Sequence, residues 1–195
     1  MTGLLLAERI RADARVLVLG AGGGLELKAF ADTQPGWTFC GVDPSAEMLG
    51  LAKRTLGPRI SRVEFHEGHI DGAPAGPFDA ATCLLTLHFL PEGERRRALA
   101  EVCRRLRPGA PFVVAHHSFP QAAGEKGKWL ARYAAFAVAS GASAANAKSA
   151  ITAIGERLPI LSPEQDEALL RTAGFTDVTL FYAGFTFRGW VARKA

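Results

Sequence analysis

The chain has 195 residues, of which 48% are hydrophobic; that length buries roughly 70% of the unfolded surface within one domain, which argues against disorder and against a second domain. No apolar run nears the ~20 residues of a membrane span, charge follows the short apolar start too soon for a signal peptide, and Cys40, Cys83 and Cys103 are odd in number and widely spaced, which argues against a disulfide framework or a zinc site. The net charge of +4 comes mainly from arginines between Arg95 and Arg107; on a helix that also carries Leu99, Val102 and Leu106 these read as a solvated face, so a cytoplasmic protein with no membrane partner and no metal is expected.

In chain order, residues 3–12 suit a short amphipathic helix and 16–20 a first strand. Val16 to Leu19 are apolar without interruption, as a strand buried on both faces requires, and Gly20, Gly22 and Gly24 follow at alternate positions, which lets the backbone turn without Cβ clashes and approach a ligand closely. A helix from Leu25 to Ala31 precedes the turn Gln34-Pro35-Gly36, and Trp37 to Asp43 reads as a second buried strand. Ser45 to Leu56 is a helix stopped by Gly57-Pro58, Arg62 to His66 a third strand, and Phe78 to Leu85 a fourth after a loop at 74–77. The helix around Arg95 to Leu106 ends at Pro108-Gly109, and Pro111 to His116 forms a fifth strand. Such alternation implies a doubly wound, mostly parallel α/β sheet with right-handed crossovers. Residues 124–157 are Ala-rich and helical, with Gly141 and Asn146 as expected interruptions. Ser162-Pro163-Glu164-Gln165 is a helix start with a capping box, and the helix ends at Gly174. Thr176 to Tyr182 and Phe185 to Arg193 flank Ala183-Gly184 and should pair as an antiparallel hairpin.

A glycine turn after a strand is shared by nicotinamide, flavin, nucleotide and S-adenosylmethionine sites, and a purely structural turn is the plain alternative. A dinucleotide fingerprint counted from Gly20 wants glycine where Leu25 stands, and no Gly-Lys-Ser/Thr follows. Gly-x-Gly-x-Gly resembles motif I of the class I S-adenosylmethionine-dependent methyltransferases. The closing hairpin agrees, because that family has a Rossmann-like seven-stranded sheet with its last strand antiparallel. The resemblance covers residues 16–193.

It implies S-adenosylmethionine as cofactor, with Gly20, Ala21, Gly22 and Gly24 passing beneath its methionine part and ribose. Asp43, at the end of the second strand, would accept hydrogen bonds from the ribose hydroxyls, or simply cap the next helix. Val42-Asp43-Pro44-Ser45-Ala46-Glu47-Met48 resembles the family's second motif, in which Met48 packs on adenine; plain core is the alternative for Met48. Gly68-His69-Ile70 falls where the family commonly has Gly-Asp-Ala, so His69 stands in place of the acid that receives the adenine amino group. Val18 likewise replaces an acid that helps hold the methionine ammonium, a loss that weakens binding unless Glu26 or a main-chain carbonyl compensates. Phe78-Asp79 and the segment from Leu84 to Leu90 resemble motif IV, with Leu84 and Leu85 lining the methionine side.

Methyl transfer from a sulfonium asks mainly for in-line alignment at about 3 Å and exclusion of water. His88 and His116 are the candidate general bases, with His117 beside them, and ordinary packing or capping is the alternative for each. The insert at about 120–160 would cover the acceptor site, with Trp129, Arg132, Tyr133 and Phe136 as one wall or as core packing. Small hydroxylated or aminated metabolites are the expected acceptors, with tRNA as the second class, and a homodimer is one way to cover the short N-terminus. The stretch from Leu84 onward also resembles carboxy-S-adenosylmethionine synthases. Those enzymes hold their extra carboxylate with an arginine where this chain has Ile151, near Lys148 and Arg157, and carry an asparagine in place of Leu84, so methyl transfer is favoured. A non-catalytic protein that binds the cofactor or a partner is the reading from a different class.

Overall fold

An apolar run with no polar interruption suits a strand covered on both faces, because alternate side chains point to opposite sides. The computed structural model describes residues 1–195 and splits those runs in this way. Strands β1 (Arg15–Leu19), β2 (Thr38–Asp43), β3 (Val63–Glu67), β4 (Ala80–Leu84), β5 (Pro111–His117), β6 (Phe175–Gly184) and β7 (Phe187–Lys194) form one seven-stranded sheet in the order β3-β2-β1-β4-β5-β7-β6. From β3 through β5 neighbouring strands pair in parallel, and β7 runs antiparallel to both β5 and β6.

Val16 and Val18 of β1, Phe39 of β2, Ala80 of β4 and Val113 of β5 share one core with Leu6 of α1 (Thr2–Ala7), Leu27 and Phe30 of α2 (Leu25–Thr33) and Leu49 of α3 (Ala46–Leu56). Their neighbours along the same strands, Leu17, Leu19, Cys40, Val42, Ala81, Cys83, Phe112 and Val114, face the other way. There they meet Leu99 and Val102 of α4 (Glu92–Arg105) and Leu169 and Leu170 of α7 (Pro163–Thr172). The strand order reverses at the β1/β4 junction, where the crossovers depart to opposite faces and leave a crevice at the strands' carboxyl ends. After β5 the chain leaves the sheet as a helical hairpin, α5 (Glu125–Ala139) and α6 (Ala144–Arg157), with a small core of Phe119, Ile154 and Ile160.

Local chemistry sets most boundaries. Ser45 caps α3 by accepting the Met48 N–H at 3.2 Å, and the Ser162–Gln165 capping box opens α7 as the sequence predicts. The first helix stops at Ala7 rather than near residue 12, because the Trp37 indole N–H donates to the Arg11 carbonyl at 3.1 Å and draws that segment against β2. Asn146 does not interrupt the insert: it lies in the first turn of α6, where its N–H donates to Ser143 Oγ at 3.1 Å, and the break falls around Gly141 (φ +98°). The hairpin turn is Phe185-Thr186, two residues later than expected. Thr186 is held there because its carbonyl accepts the Ser118 N–H at 2.8 Å and its hydroxyl contacts His117 Nδ1 at 3.0 Å. No helix is long and apolar enough to cross a membrane.

Gly24 joins β1 to the helices beyond it. It adopts φ +81°, and a Cβ there would lie 2.8 Å from the Ala52 Cα of α3. Gly57 also has a positive φ, +54°, but open space in front of it. Gly24→Ala should therefore cost about 3 kcal/mol and Gly57→Ala only about 1 kcal/mol in urea unfolding, because the first adds overpacking of two helices to left-handed strain. Equal losses would show that the contact with α3 is unimportant.

Candidate active site

The crevice at the carboxyl ends of β1, β2 and β4 is a cavity of about 700 Å³. It gathers Gly20 and Gly22 from the turn after β1, Asp43 and Pro44 from the end of β2, Met48 from α3, Gly68, His69 and Ile70 after β3, and Leu84 and Leu85 after β4. Ten residues singled out in the sequence thus meet in one place. Ala21 and Gly24 do not line it: Ala21 is packed in the core beside β1, and the bareness of Gly24 serves its contact with Ala52.

Asp43 organises the cavity floor. One carboxylate oxygen accepts the Gly22 N–H at 2.9 Å and the other the Ser45 N–H at 2.9 Å, while the Gly20 and Ala21 N–H groups both donate to the Val42 carbonyl. The glycine turn is thereby tied to the end of β2. Each glycine of the turn has its own reason. A Cβ on Gly20 would overlap Thr86 Oγ1, whereas one on Gly22 (φ +48°) would meet nothing closer than the Met48 methyl at 3.7 Å. The bareness of Gly22 therefore keeps the cavity open rather than packing the protein. Asp43 does act on the start of α3, but Ser45 supplies the cap itself.

Half-exposed Met48 and buried Ile70 give the cavity apolar lining. His69 is exposed at its edge. Thr86, Phe89, Asp71, Glu94 and Arg97, which the sequence did not mark as site residues, also line the cavity; Asp71 and Arg97 pair at 3.5 Å. Thr86 and Phe89 fall inside the motif-IV-like segment and Asp71 follows Ile70, whereas no local signal marks Glu94 and Arg97 of α4. Leu85 is 54% exposed and held at φ +56° by its N–H bond to the Ala115 carbonyl at 2.7 Å, so a strained apolar side chain stands at the mouth.

None of the three histidines lines the cavity. His88 and His117 lie together under α5: the His117 N–H donates to His88 Nδ1 at 3.4 Å, and the rings meet edge-on at 4.9 Å. Burial, with His117 adding repulsion, pushes His88 down to about 3, and burial pushes His117 down to about 4. Both are neutral at physiological pH. His116 is buried on the opposite side of the strand, with Nε2 at 3.2 Å from Asp166 Oδ2. Asp166 Oδ1 is in turn 2.5 Å from Arg95 Nη1, and Arg95 Nη2 donates to the Pro159 carbonyl at 2.9 Å. Burial opposes the charge of Asp166, but the contact with His116 and the charge of Arg95 hold its carboxyl below the usual aspartate value.

The arginine helix is therefore more than a solvated face. Arg95 and Arg105 are fully buried, and Arg105 donates to the carbonyls of Asp71, Ala73 and Pro74, pinning the segment behind the cavity. The aromatic stripe of α5 meets the β6–β7 hairpin and β5, not the cavity. Tyr133 packs edge-on against His117, Phe136 stacks on Phe185 at 4.8 Å, and Trp129 lies between the guanidinium groups of Arg132 and Arg188.

A methyltransferase-domain family matches residues 16–109. A carboxy-S-adenosyl-L-methionine synthase of Chromohalobacter salexigens is 31% identical over 201 residues, spanning all of this chain and 73% of that protein. A trans-aconitate 2-methyltransferase of Deinococcus radiodurans is 29% identical across 87% of this chain and 61% of its own length. Human N-acetylserotonin methyltransferase in complex with S-adenosylmethionine superposes on all of this chain with a TM-score of 0.67 and 18% identity. The chain spans about half of that structure's length (52%), so the likeness is one of fold.

Two outcomes follow from the buried charges. Asp166→Ala strips Arg95 and His116 of their shared carboxylate and should cost about 3–5 kcal/mol of stability, as broken buried pairs do. Burial pushes the Glu26 carboxyl up to about 7 from its usual 4.5. A carboxyl raised on folding adds stability below the unfolded value and loses it as pH rises to the folded one. Wild type should therefore lose about 3 kcal/mol relative to Glu26→Gln between pH 4.5 and 7.5 in chemical denaturation, and parallel pH profiles would refute the shift.

Proposed function

Because this chain belongs to the S-adenosylmethionine-dependent methyltransferase family, we propose that its 700 Å³ cavity holds S-adenosylmethionine and that it transfers the methyl group directly to a small-molecule acceptor. The observation that carries this reading is the Asp43 carboxylate, braced by the Gly22 and Ser45 N–H groups beside a glycine whose missing side chain leaves the cavity open. Each braced oxygen retains a lone pair for a ribose hydroxyl. Met48 and Ile70 offer adenine an apolar slot, with His69 and Asp71 at its edge. Leu84 and Leu85 border the methionine end.

When bound, S-adenosylmethionine supplies a methyl group already activated on a sulfonium. The protein's own task is to hold the two partners in line and to keep water out, and the apolar segment from Leu84 to Leu90, with Leu85 and Phe89 exposed at the mouth, suits that task. With their pKa values pushed down to about 3 and 4, His88 and His117 are too weak as bases to drive deprotonation at neutral pH. The favoured acceptors therefore carry a nucleophile that needs no protein base, such as a carboxylate or an unprotonated amine. The α5–α6 hairpin would cover the acceptor side.

Synthesis of carboxy-S-adenosylmethionine is the second reading, favoured by similarity to the Chromohalobacter enzyme along all of this chain. Against it, Ile151 borders an apolar groove between α5 and α6, and the one arginine or lysine lining the cavity, Arg97, already faces Asp71. Mass spectrometry of the co-purified ligand separates the two, since carboxylation adds about 44 mass units, the mass of CO₂.

S-Adenosylhomocysteine at 100 times its dissociation constant should stabilise the protein by ~2.7 kcal/mol in a thermal shift, and no shift at millimolar ligand would refute the cofactor assignment. Asp43→Ala should weaken that binding at least about tenfold, by losing a charge-assisted hydrogen-bond acceptor. Turnover over a panel of small carboxylates, amines and hydroxylated metabolites, with tRNA as a further arm, would identify the acceptor. His88→Gln should retain kcat within about threefold of wild type, because a group that accepts no proton contributes little to the chemical step.

A further inference from the structure

An acid with one oxygen closed off lies just past the glycine turn. Glu26 is the second residue of α2, and its Oε1 is closed off from solvent with no hydrogen bond. The hydroxyl of Thr82 on β4, which moderates the cost of burying the acid, is equally sealed and makes no hydrogen bond of its own. Thr82 stands beside Val18 in the β1–β4 register, and the next residues along β1, Leu19 and Gly20, form the cavity wall. A carboxyl with one unsatisfied oxygen thus lies behind the floor of the site.

The groups around it leave it free to respond. Cys83, next to Thr82 on β4, is a buried thiol held neutral by burial and further by the neighbouring acid. Lys28, farther along α2, is engaged with Asp32 at 2.8 Å, and across the turn Asp43 is committed to the Gly22 and Ser45 N–H groups. No cation offsets the burial of Glu26, whose midpoint near 7 leaves it poised between its two forms at neutral pH. The partial positive charge at the start of α2 favours the ionised form once anything else does. What the site lacks is a positive charge, and S-adenosylmethionine brings an ammonium and a sulfonium against a single carboxylate.

We propose that Glu26 is the buried counter-charge for the cationic methionine end of the cofactor, a positioning residue that releases its proton to solvent when the ligand enters. This rests on the cofactor reading above. It also gives this chain a substitute for an acid at Val18, delivered from the helix behind the turn instead of from the strand. Entry of a cation lowers the Glu26 midpoint, so affinity rises with pH up to about neutrality and levels off above it.

The test is calorimetric titration of S-adenosylhomocysteine and S-adenosylmethionine into the full chain at pH 6.0 to 8.0, in two buffers of different ionisation enthalpy, for wild type and Glu26→Gln. Wild type should release about half to three-quarters of a proton near pH 6.5 and bind up to about tenfold more tightly at pH 8 than at pH 6. Glu26→Gln should lose most of that slope and that proton release; titration of the ligand's own amino group is common to both proteins and cancels. A variant with the same slope and proton release as wild type overturns the inference while leaving the cofactor reading intact. Failure of wild type to bind either ligand at any pH overturns both. Should the variant not fold, carbon-detected NMR of the Glu26 carboxyl in wild type decides: its midpoint falls by at least about one pH unit on saturation, and an unmoved midpoint overturns the inference.

Discussion

The carboxylate of Asp43 is the joint on which the site depends. It ends β2, accepts the N–H of Gly22 with one oxygen and that of Ser45 with the other, and so fixes the glycine turn and the start of α3 relative to one another. Beside the backbone bonds from Gly20 and Ala21 to the Val42 carbonyl, that brace is what ties the two chain reversals bordering the cavity through a side chain. With it, the open face of Gly22, the apolar side chain of Met48 and the carboxylate itself hold a fixed geometry before any ligand arrives, and such preorganisation spares the ordering cost at binding. The brace is possible because β1 and β2 pair in register, Leu19 opposite Val42, which brings the turn to the strand end.

Behind this edge the fold is held by buried polar groups that the hydrophobic pattern does not reveal. Arg95, Asp166 and His116 join α4, α7 and β5 in a space closed to water, and Arg105 gathers the carbonyls of the segment that follows His69 and Ile70. Such groups contribute little net stability over an apolar equivalent, but removal of the aspartate leaves the buried charge of Arg95 unpaired. Their effect is positional. They set where the cavity's far wall lies, while the two apolar cores on either side of the sheet supply the driving force for collapse.

Much of this was legible in the residues. The uninterrupted run from Val16 to Leu19, the capping box at Ser162 and the paired runs at the carboxyl terminus announce their elements by local chemistry. The glycine spacing and Asp43 announce the site. What misled was chemistry that local pattern cannot resolve. An arginine on a helix reads as solvated whether or not an aspartate 71 residues away waits to meet it, as Asp166 does for Arg95. Histidines at the end of a strand read as bases until their neighbours are known; His116 turns towards Asp166, whereas His117 turns towards His88 and the aromatic stripe of α5. The three glycines look alike in sequence, yet Gly20 makes room for Thr86, Gly22 for the cavity and Gly24 for Ala52.

By itself the sequence determined the order of strands and helices, the class of sheet and the turn at which a ligand would sit, since periodicity, capping and glycine conformation act over a few residues. Only the tertiary structure decided which polar groups are satisfied and which are left wanting. Whether Glu26 is a surface acid or one with a closed-off oxygen depends on Thr82 and the sheet behind it, and burial is a property of contacts made between distant parts of the chain.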